Sequence, residues 1–195
     1  MKLIGLTGGI AVGKSEVVKI LRKMNIPVFD SDAAVHQLYQ NGIAPKYMGA
    51  ICPQAIVDNK VDRQILSKLV LEQPNLLTKI EAIIHPLVRE MEKDFISNAI
   101  KISSELIVID SALLIETGHY RDMDFSILVA SSRKNQIERA MLRQNMTMEK
   151  LELILAKQLT EADKRKYVDF IIENNGTLND LEVRVKSIFG KFLDT

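Results

Sequence analysis

The sequence predicts an α/β protein: a five-stranded parallel sheet covered by helices on both faces, with two helical inserts. Three observations predict it. Five short apolar stretches, near 2–7, 26–29, 105–110, 125–130 and 168–172, have strand length and no polar alternation, the pattern of strands buried on both faces. Helical patterns separate them, so strand and helix alternate along the chain. The first apolar stretch also runs directly into Gly8-Gly9-Ile10-Ala11-Val12-Gly13-Lys14-Ser15, a glycine-framed turn between a strand and a helix.

Each residue type in that turn has a chemical reason. Gly8 and Gly13 are expected to let the backbone take positive φ and approach a phosphate with no Cβ in the way. The N–H groups of the loop and the positive end of the following helix then favour an anion. Lys14 suits the β- and γ-phosphates as a point charge, and the Ser15 hydroxyl suits Mg²⁺. The helix after it carries Val17, Val18, Ile20, Leu21 and Met24 on one face. Strand, loop and helix in this order form a nucleotide-binding unit, with Mg²⁺ the expected ion.

Composition narrows the partners. The 195 residues are 47% hydrophobic and 26% charged, with 26 basic against 25 acidic side chains, so no global field points to nucleic acid or membrane. No apolar run reaches the roughly 18 residues of a membrane span, and no charged-then-apolar leader opens the chain. The single cysteine, Cys52, allows no internal disulfide. A cytoplasmic protein is expected; the sequence leaves its oligomeric state open, with a monomer as the default.

Ile26-Pro27-Val28-Phe29 reads as the second strand, closed by Asp30-Ser31-Asp32, with a helix from about Ala33 to Gln40. Two carboxylates at a strand's C-terminal end sit where such sheets bind ligands; they equally suit helix capping. Residues 41–61, with Gly42, Pro45, Gly49 and Cys52-Pro53, read as loops and short turns, and Cys52 as a packed thiol. Asp62-Arg63 opens a helix through Leu66, Leu69 and Val70. A longer pattern covers Asn75 to Ile102, where Pro86 implies two helices or one bent helix; His85 then terminates the first of them or serves a site.

Leu106-Ile107-Val108-Ile109-Asp110 is the third strand, and its terminal aspartate reads as the acidic partner of Mg²⁺. Phe125 to Val129 is the fourth, followed by Ser131-Ser132 as a helix cap. From Arg133 to Lys166 there are nine basic and five acidic residues. Arg139 and Arg143, four apart, are expected to share a helix face, while Thr147 and the Thr160/Asp163 pair suit later helix starts. This stretch fits a solvated helical hairpin or, beside a phosphate loop, an arginine-bearing lid. Val168 to Ile172, the turn Asn174-Asn175-Gly176-Thr177 and a helix from about Leu178 to Phe192 close the chain.

With these residues in hand, the chain resembles the dephospho-coenzyme A kinases. The resemblance is carried by Leu6-Thr7-Gly8-Gly9-Ile10 into Gly13-Lys14-Ser15, Asp30-x-Asp32, His85-Pro86-Leu87-Val88 and Ile109-Asp110 with Leu113-Leu114-x-Glu116. The Arg139/Arg143 pair, Gln158 and Asp169-x-Ile171-Ile172 with Asn174-Asn175-Gly176 complete it, in the family's order and over nearly the whole chain. It implies the P-loop NTPase fold and transfer of the ATP γ-phosphoryl group to the ribose 3′-hydroxyl of dephospho-coenzyme A. It further implies Asp32 as the catalytic aspartate, Lys14 and Ser15 as the phosphate and Mg²⁺ pair, and Arg143, with Arg139, as lid arginines over the phosphates. Asn175-Gly176 would pass the adenine, and His85 and Leu114 would face the acceptor. The implied organisation is a nucleotide core of 1–33, 103–132 and 167–195, an acceptor-binding insert of 34–102 and a lid of 133–166.

Three positions depart from the family pattern: Ala11-Val12 for Gly-Ser in the loop, Ala112 for a proline, and Asn59 for a glycine. Another P-loop small-molecule or nucleotide kinase is the neighbouring alternative, since fold does not fix the acceptor. A regulatory GTPase would want Asn-Lys-x-Asp, and Asn174-Asn175-Gly176-Thr177 lacks the lysine and the aspartate. A nucleotide-binding module without catalysis is the third reading, with the altered loop as its only hint.

Overall fold

The computed structural model describes residues 1–40 and 43–193. In chain order the elements are β1 (Lys2–Thr7), α1 (Lys14–Lys23), β2 (Val28–Asp30), α2 (Ser31–Gln40), α3 (Ile43–Met48), β3 (Ile56–Val57), β4 (Lys60–Val61), α4 (Arg63–Glu72) and α5 (Pro74–Lys101). They continue as β5 (Leu106–Asp110), β6 (Phe125–Ala130), α6 (Arg133–Met141), α7 (Met148–Ala156), α8 (Glu161–Lys164), β7 (Phe170–Glu173) and α9 (Leu178–Leu193). The chain divides into two compact units, Met1–Phe29 with Ala99–Thr195, and Asp30–Asn98.

The first unit is built on the expected five-stranded parallel sheet with helices on both sides, in the order β2-β5-β1-β6-β7. β1 is central. It pairs in parallel with β5, Ile4 opposite Val108, and with β6, Leu6 opposite Ile127, so the loop after β1 leaves from the middle of the sheet's carboxyl edge, where α/β sheets bind ligands. Apolar residues of two helices close over one of its faces: Val17, Val18, Ile20 and Leu21 from α1, and Leu181, Val185 and Phe189 from α9. Each such side chain contributes about 1.5–3 kcal/mol on burial.

Two strands are displaced from their expected bounds. β2 is 28–30 rather than 26–29, because Ile26 N–H is used to close α1 on the Leu21 carbonyl and Pro27 has no N–H to give; its carbonyl accepts from Val108 N–H instead. β7 is 170–173 rather than 168–172. Asp169 just before it turns its carboxylate onto the N–H and hydroxyl of Ser126.

The second unit has its own core of Tyr39, Ala44, Met48, Cys52, Ala55, Val61, Leu66, Leu76, Ile80 and Ile84. Here the expectation of loops over 41–61 is corrected. The segment holds α3, a short 3₁₀ turn at Pro53–Ala55 and the antiparallel β3–β4 hairpin; Asn41 and Gly42, read as part of those loops, lie outside the described residues. The hairpin turns on Asp58 (φ 48°) and Asn59 (φ 58°). Two consecutive left-handed residues are what a two-residue hairpin needs, and asparagine and aspartate tolerate the conformation best after glycine.

The Pro86 expectation resolves to one helix: α5 runs from Pro74 to Lys101 with Pro86 inside it, so His85 ends no helix. Proline removes only the bond to the carbonyl four residues back, at Ala82, and both Ala82 and Pro86 are exposed, so water can serve that carbonyl. α4 begins as expected, with the Asp62 carboxylate accepting from Gln64 and Ile65 N–H.

Cys52 is 1% exposed, and burial pushes its thiol above the usual range. Alkylation at pH 8 should therefore be at least about tenfold slower in the native protein than in urea. Equal rates would show the second unit open in solution.

Candidate functional site

The loop after β1 is shaped by a few backbone facts. Gly13 caps α1 at φ 98° and Ala11 sits at φ 60°, both left-handed. The conformation is free for Gly13 but costs an alanine about 1–2 kcal/mol. Part of that cost is offset by burial, since the Ala11 methyl packs with Ala140 and Leu151, flanked by Ile137 and Leu155. Gly8 does not take positive φ, contrary to the expectation. It is needed for close approach: a Cβ there would lie 2.8 Å from the Val129 carbonyl oxygen and 2.9 Å from the Val12 side chain. A Cβ on Gly13 would collide with the Asn174 amide nitrogen.

Three side chains reach the loop's carbonyls. Gln136 Nε2 donates to the Ile10 carbonyl at 2.8 Å. Asn174 Nδ2 donates to the Val12 carbonyl at 2.8 Å, and Arg139 reaches the same oxygen at 3.3 Å. Arg139 also donates to the Asn174 carbonyl at 3.0 Å and to Ser131 Oγ at 3.2 Å. Ser132 starts α6 by accepting from Asn135 N–H. This cap sets the phase that turns Gln136 and Arg139, three residues apart, toward the loop.

At the carboxyl ends of β1 and β5, Lys14 Nζ donates to Asp110 Oδ1. Both side chains are largely buried, 13% and 6% exposed, and a buried charge persists only when it is paired. Beyond Asp110, the Ala112 carbonyl accepts from Thr7 Oγ1 at 3.3 Å and from Lys164 Nζ at 2.8 Å. Lys164 is 1% exposed and its ammonium lies 3.0 Å from Glu116 Oε1. Burial pulls its pKa below the ordinary lysine value, with the Glu116 hydrogen bond opposing. Glu116 also accepts from Leu159 N–H at 2.8 Å. A cavity of about 540 Å³ opens beside the loop, lined by Gly9, Val12, Ser131, Gln136, Gln158 and Lys164 among others.

The structure thus brings together Gly8 to Lys14, Asp110, Arg139 and the Asn174 turn. Asn175 Oδ1 accepts from Ser132 N–H at 2.7 Å, which ties the turn to the start of α6, and Gly176 lies where a Cβ would meet the Asp180 carboxylate at 2.6 Å. Ser15 lies in the first turn of α1. Arg143 does not share a helix with Arg139 as expected: α6 ends at Met141, and Arg143 is exposed in the bend beyond it. Leu114 is fully buried and packs against Gly5.

In the second unit, the capping role falls to Asp30, whose carboxylate accepts from Ala33 N–H at 2.9 Å. Asp32 is exposed in the first turn of α2, and His85 is exposed midway along α5. Sequence reasoning missed Gln136, Lys164 and the Asn174 side chain. Gln136 was within reach, since it stands one turn before Arg139 on the same face.

The sequence model of the dephospho-CoA kinase family matches residues 2–180. Over 188 residues the chain is 37% identical to a dephospho-CoA kinase of Rhodopseudomonas palustris strain HaA2, covering 96% of this chain and 94% of that protein. The corresponding enzyme of Bradyrhizobium diazoefficiens is 36% identical over 191 residues, 98% and 96% of the two chains. Among solved structures, a Thermus thermophilus protein superposes with a TM-score of 0.86 at 31% identity over 97% of both chains. A dephospho-CoA kinase of Campylobacter jejuni superposes at 0.73, with 20% identity over 97% of this chain and 96% of that one, a likeness of fold.

The Lys164–Glu116 pair gives a test of the site's frame. Glu116→Ala leaves a buried ammonium without its carboxylate and should cost about 3 kcal/mol at pH 7. With its pKa depressed in the fold, Lys164 imposes that cost in full below its folded value, and the cost fades as pH rises toward the unfolded value of about 10.4. Urea unfolding of both proteins at pH 7 and pH 10 should therefore show the smaller difference at pH 10. A difference under about 0.5 kcal/mol at pH 7 would show the pair to be a surface one.

Proposed function

The chain belongs to the dephospho-CoA kinase family, and from that membership we propose the division of labour by which it moves the ATP γ-phosphoryl group to the ribose 3′-hydroxyl of dephospho-coenzyme A, the last step of coenzyme A synthesis. The observation that carries the proposal is the Lys14–Asp110 pair at the carboxyl ends of β1 and β5, directly after the glycine loop. An ammonium has three donors. Asp110 takes one and fixes the direction of the rest, so Lys14 can meet β- and γ-phosphoryl oxygens without a search through rotamers. Its low exposure strengthens each of those contacts.

ATP is the phosphoryl donor in this reading, its phosphates on Gly8, Gly9, Ile10, Ala11, Val12 and Gly13 and its adenine by Asn175-Gly176. Mg²⁺ takes one or two protein oxygens together with substrate phosphates, and the Ser15 hydroxyl and Asp110 carboxylate are hard-oxygen donors of that type. Ser15 and Asp110 would hold the ion, which would supply positive charge against the phosphates. Within the segment 133–166, the residues beyond α6 close as a lid that brings Arg143 to the phosphates. Because Gln136 and Arg139 are bonded to the loop, the part that moves begins after α6.

The acceptor belongs to the insert 34–102, with His85 on its side; Leu114 is fully buried against Gly5 in the turn after β5. Asp32 orients the attacking hydroxyl and takes its proton. The family's membership and the acidic pair after β2 support this role, as does the helix-capping bond going to Asp30 and leaving Asp32 to other work. A cytoplasmic location is part of the same reading.

Incubation with Mg-ATP and a panel of acceptor alcohols should yield product with dephospho-coenzyme A and not with shikimate or nucleoside monophosphates. In that assay Asp32→Asn should lower kcat by at least about 100-fold while ATP affinity and thermal stability stay near the parent, since the carboxylate acts in the transition state. Near-normal kcat would reduce Asp32 to a helix-start residue, where asparagine serves equally well.

A further inference from the structure

The loop's conformation is imposed from outside it. A peptide unit is planar and trans, so the carbonyl of one residue and the N–H of the next point in opposite directions. The Ile10 carbonyl shares a peptide with the Ala11 N–H, and the Val12 carbonyl with the Gly13 N–H. Gln136 holds the first carbonyl and Asn174 the second, each at 2.8 Å. The Ala11 and Gly13 N–H groups are thereby aimed to the opposite side. Between the two held peptides stands Ala11, left-handed at φ 60°, a conformation an alanine leaves unless its neighbours over-determine it. Both donors are fixed in turn: Gln136 is 8% exposed and Asn174 5%.

We propose that Gln136 and Asn174 are positioning residues for the nucleotide, setting ATP affinity by turning the Ala11 and Gly13 N–H groups toward its phosphates. They act through the loop's main-chain carbonyls. Without them the Ile10 and Val12 peptides are free to rotate, Ala11 relaxes to negative φ, and the anion-binding concavity opens. Arg139 contributes to the Val12 carbonyl at 3.3 Å, but it also bonds Ser131 and Asn174, so Gln136 is the cleaner probe. The proposal rests on the reading that this loop holds the ATP phosphates; it does not depend on which alcohol is the acceptor.

The test is ATP affinity by calorimetry in the absence of acceptor, for Gln136→Met, Asn174→Leu and Gln136→Met combined with Ala11→Gly. Methionine keeps the length of glutamine without the donor. Each single variant should weaken ATP about tenfold, the scale of one lost buried hydrogen bond, with the KM for dephospho-coenzyme A unchanged. Adding Ala11→Gly to Gln136→Met should recover most of the loss, because glycine holds the left-handed turn without help. Should Gln136→Met unfold, Asn174→Leu decides alone, and ATP affinity within twofold of the parent there would overturn the proposal. ATP affinity of Gln136→Met within twofold of the parent would overturn the proposal. So would equal weakening of ATP and dephospho-coenzyme A, or a double variant no better than Gln136→Met. Normal ATP binding by the parent without phosphorylation of dephospho-coenzyme A would instead overturn the functional reading and leave this one standing.

Discussion

The site depends on one buried ion pair. Lys14 opens α1 and Asp110 closes β5, 96 residues later in sequence. They meet because β1 and β5 are adjacent parallel strands, with Leu6 in register with Asp110. An aspartate at the end of five fully buried strand residues would carry a large desolvation penalty alone. Lys14 removes that penalty, and in return its own position is set by the sheet rather than by a flexible stem. The central placement of β1, the short turn after it and the all-apolar run of β5 all serve that meeting.

A second constraint runs through α6. Gln136 and Arg139 bond the loop's backbone, and Ala140 belongs to the apolar group that receives the Ala11 methyl. One face of one helix therefore carries both the polar and the apolar support of a strained turn. The Asn174 turn closes the arrangement from the other flank, with Asn175 holding Ser132 N–H at the start of α6. Lys164 and Glu116 anchor the return from α8 to the segment after β5. These contacts make one face of α6 a scaffold for the loop.

Much of this was legible because backbone geometry dictates residue type. Gly13 must be left-handed, β5 must be apolar up to its closing aspartate, and helix starts need Asp62, Ser132, Thr147 or Thr160 as side-chain acceptors. The features that escaped reading lacked a local signature. A hairpin of two-residue strands has too few positions to show alternation. Pro86 sits in a helix whose exposed side forgives it. Gln136 and Asn174 act on main-chain carbonyls 126 and 162 residues away, and a backbone acceptor looks the same under every residue type. At Gly8 the expected positive φ does not hold; the glycine makes room beside Val129, a neighbour supplied only by the strand order.

The central claim is that the turn after β1, with Lys14 held by Asp110, is where the phosphoryl group is transferred. Steady-state turnover of Lys14→Ala with Mg-ATP and dephospho-coenzyme A tests it most directly. Removing the positioned ammonium should lower kcat by at least about 100-fold, the scale of one lost electrostatic stabiliser, and saturating ATP should not restore it. Turnover within a few-fold of the parent would contradict the account and locate the chemistry elsewhere on the molecule.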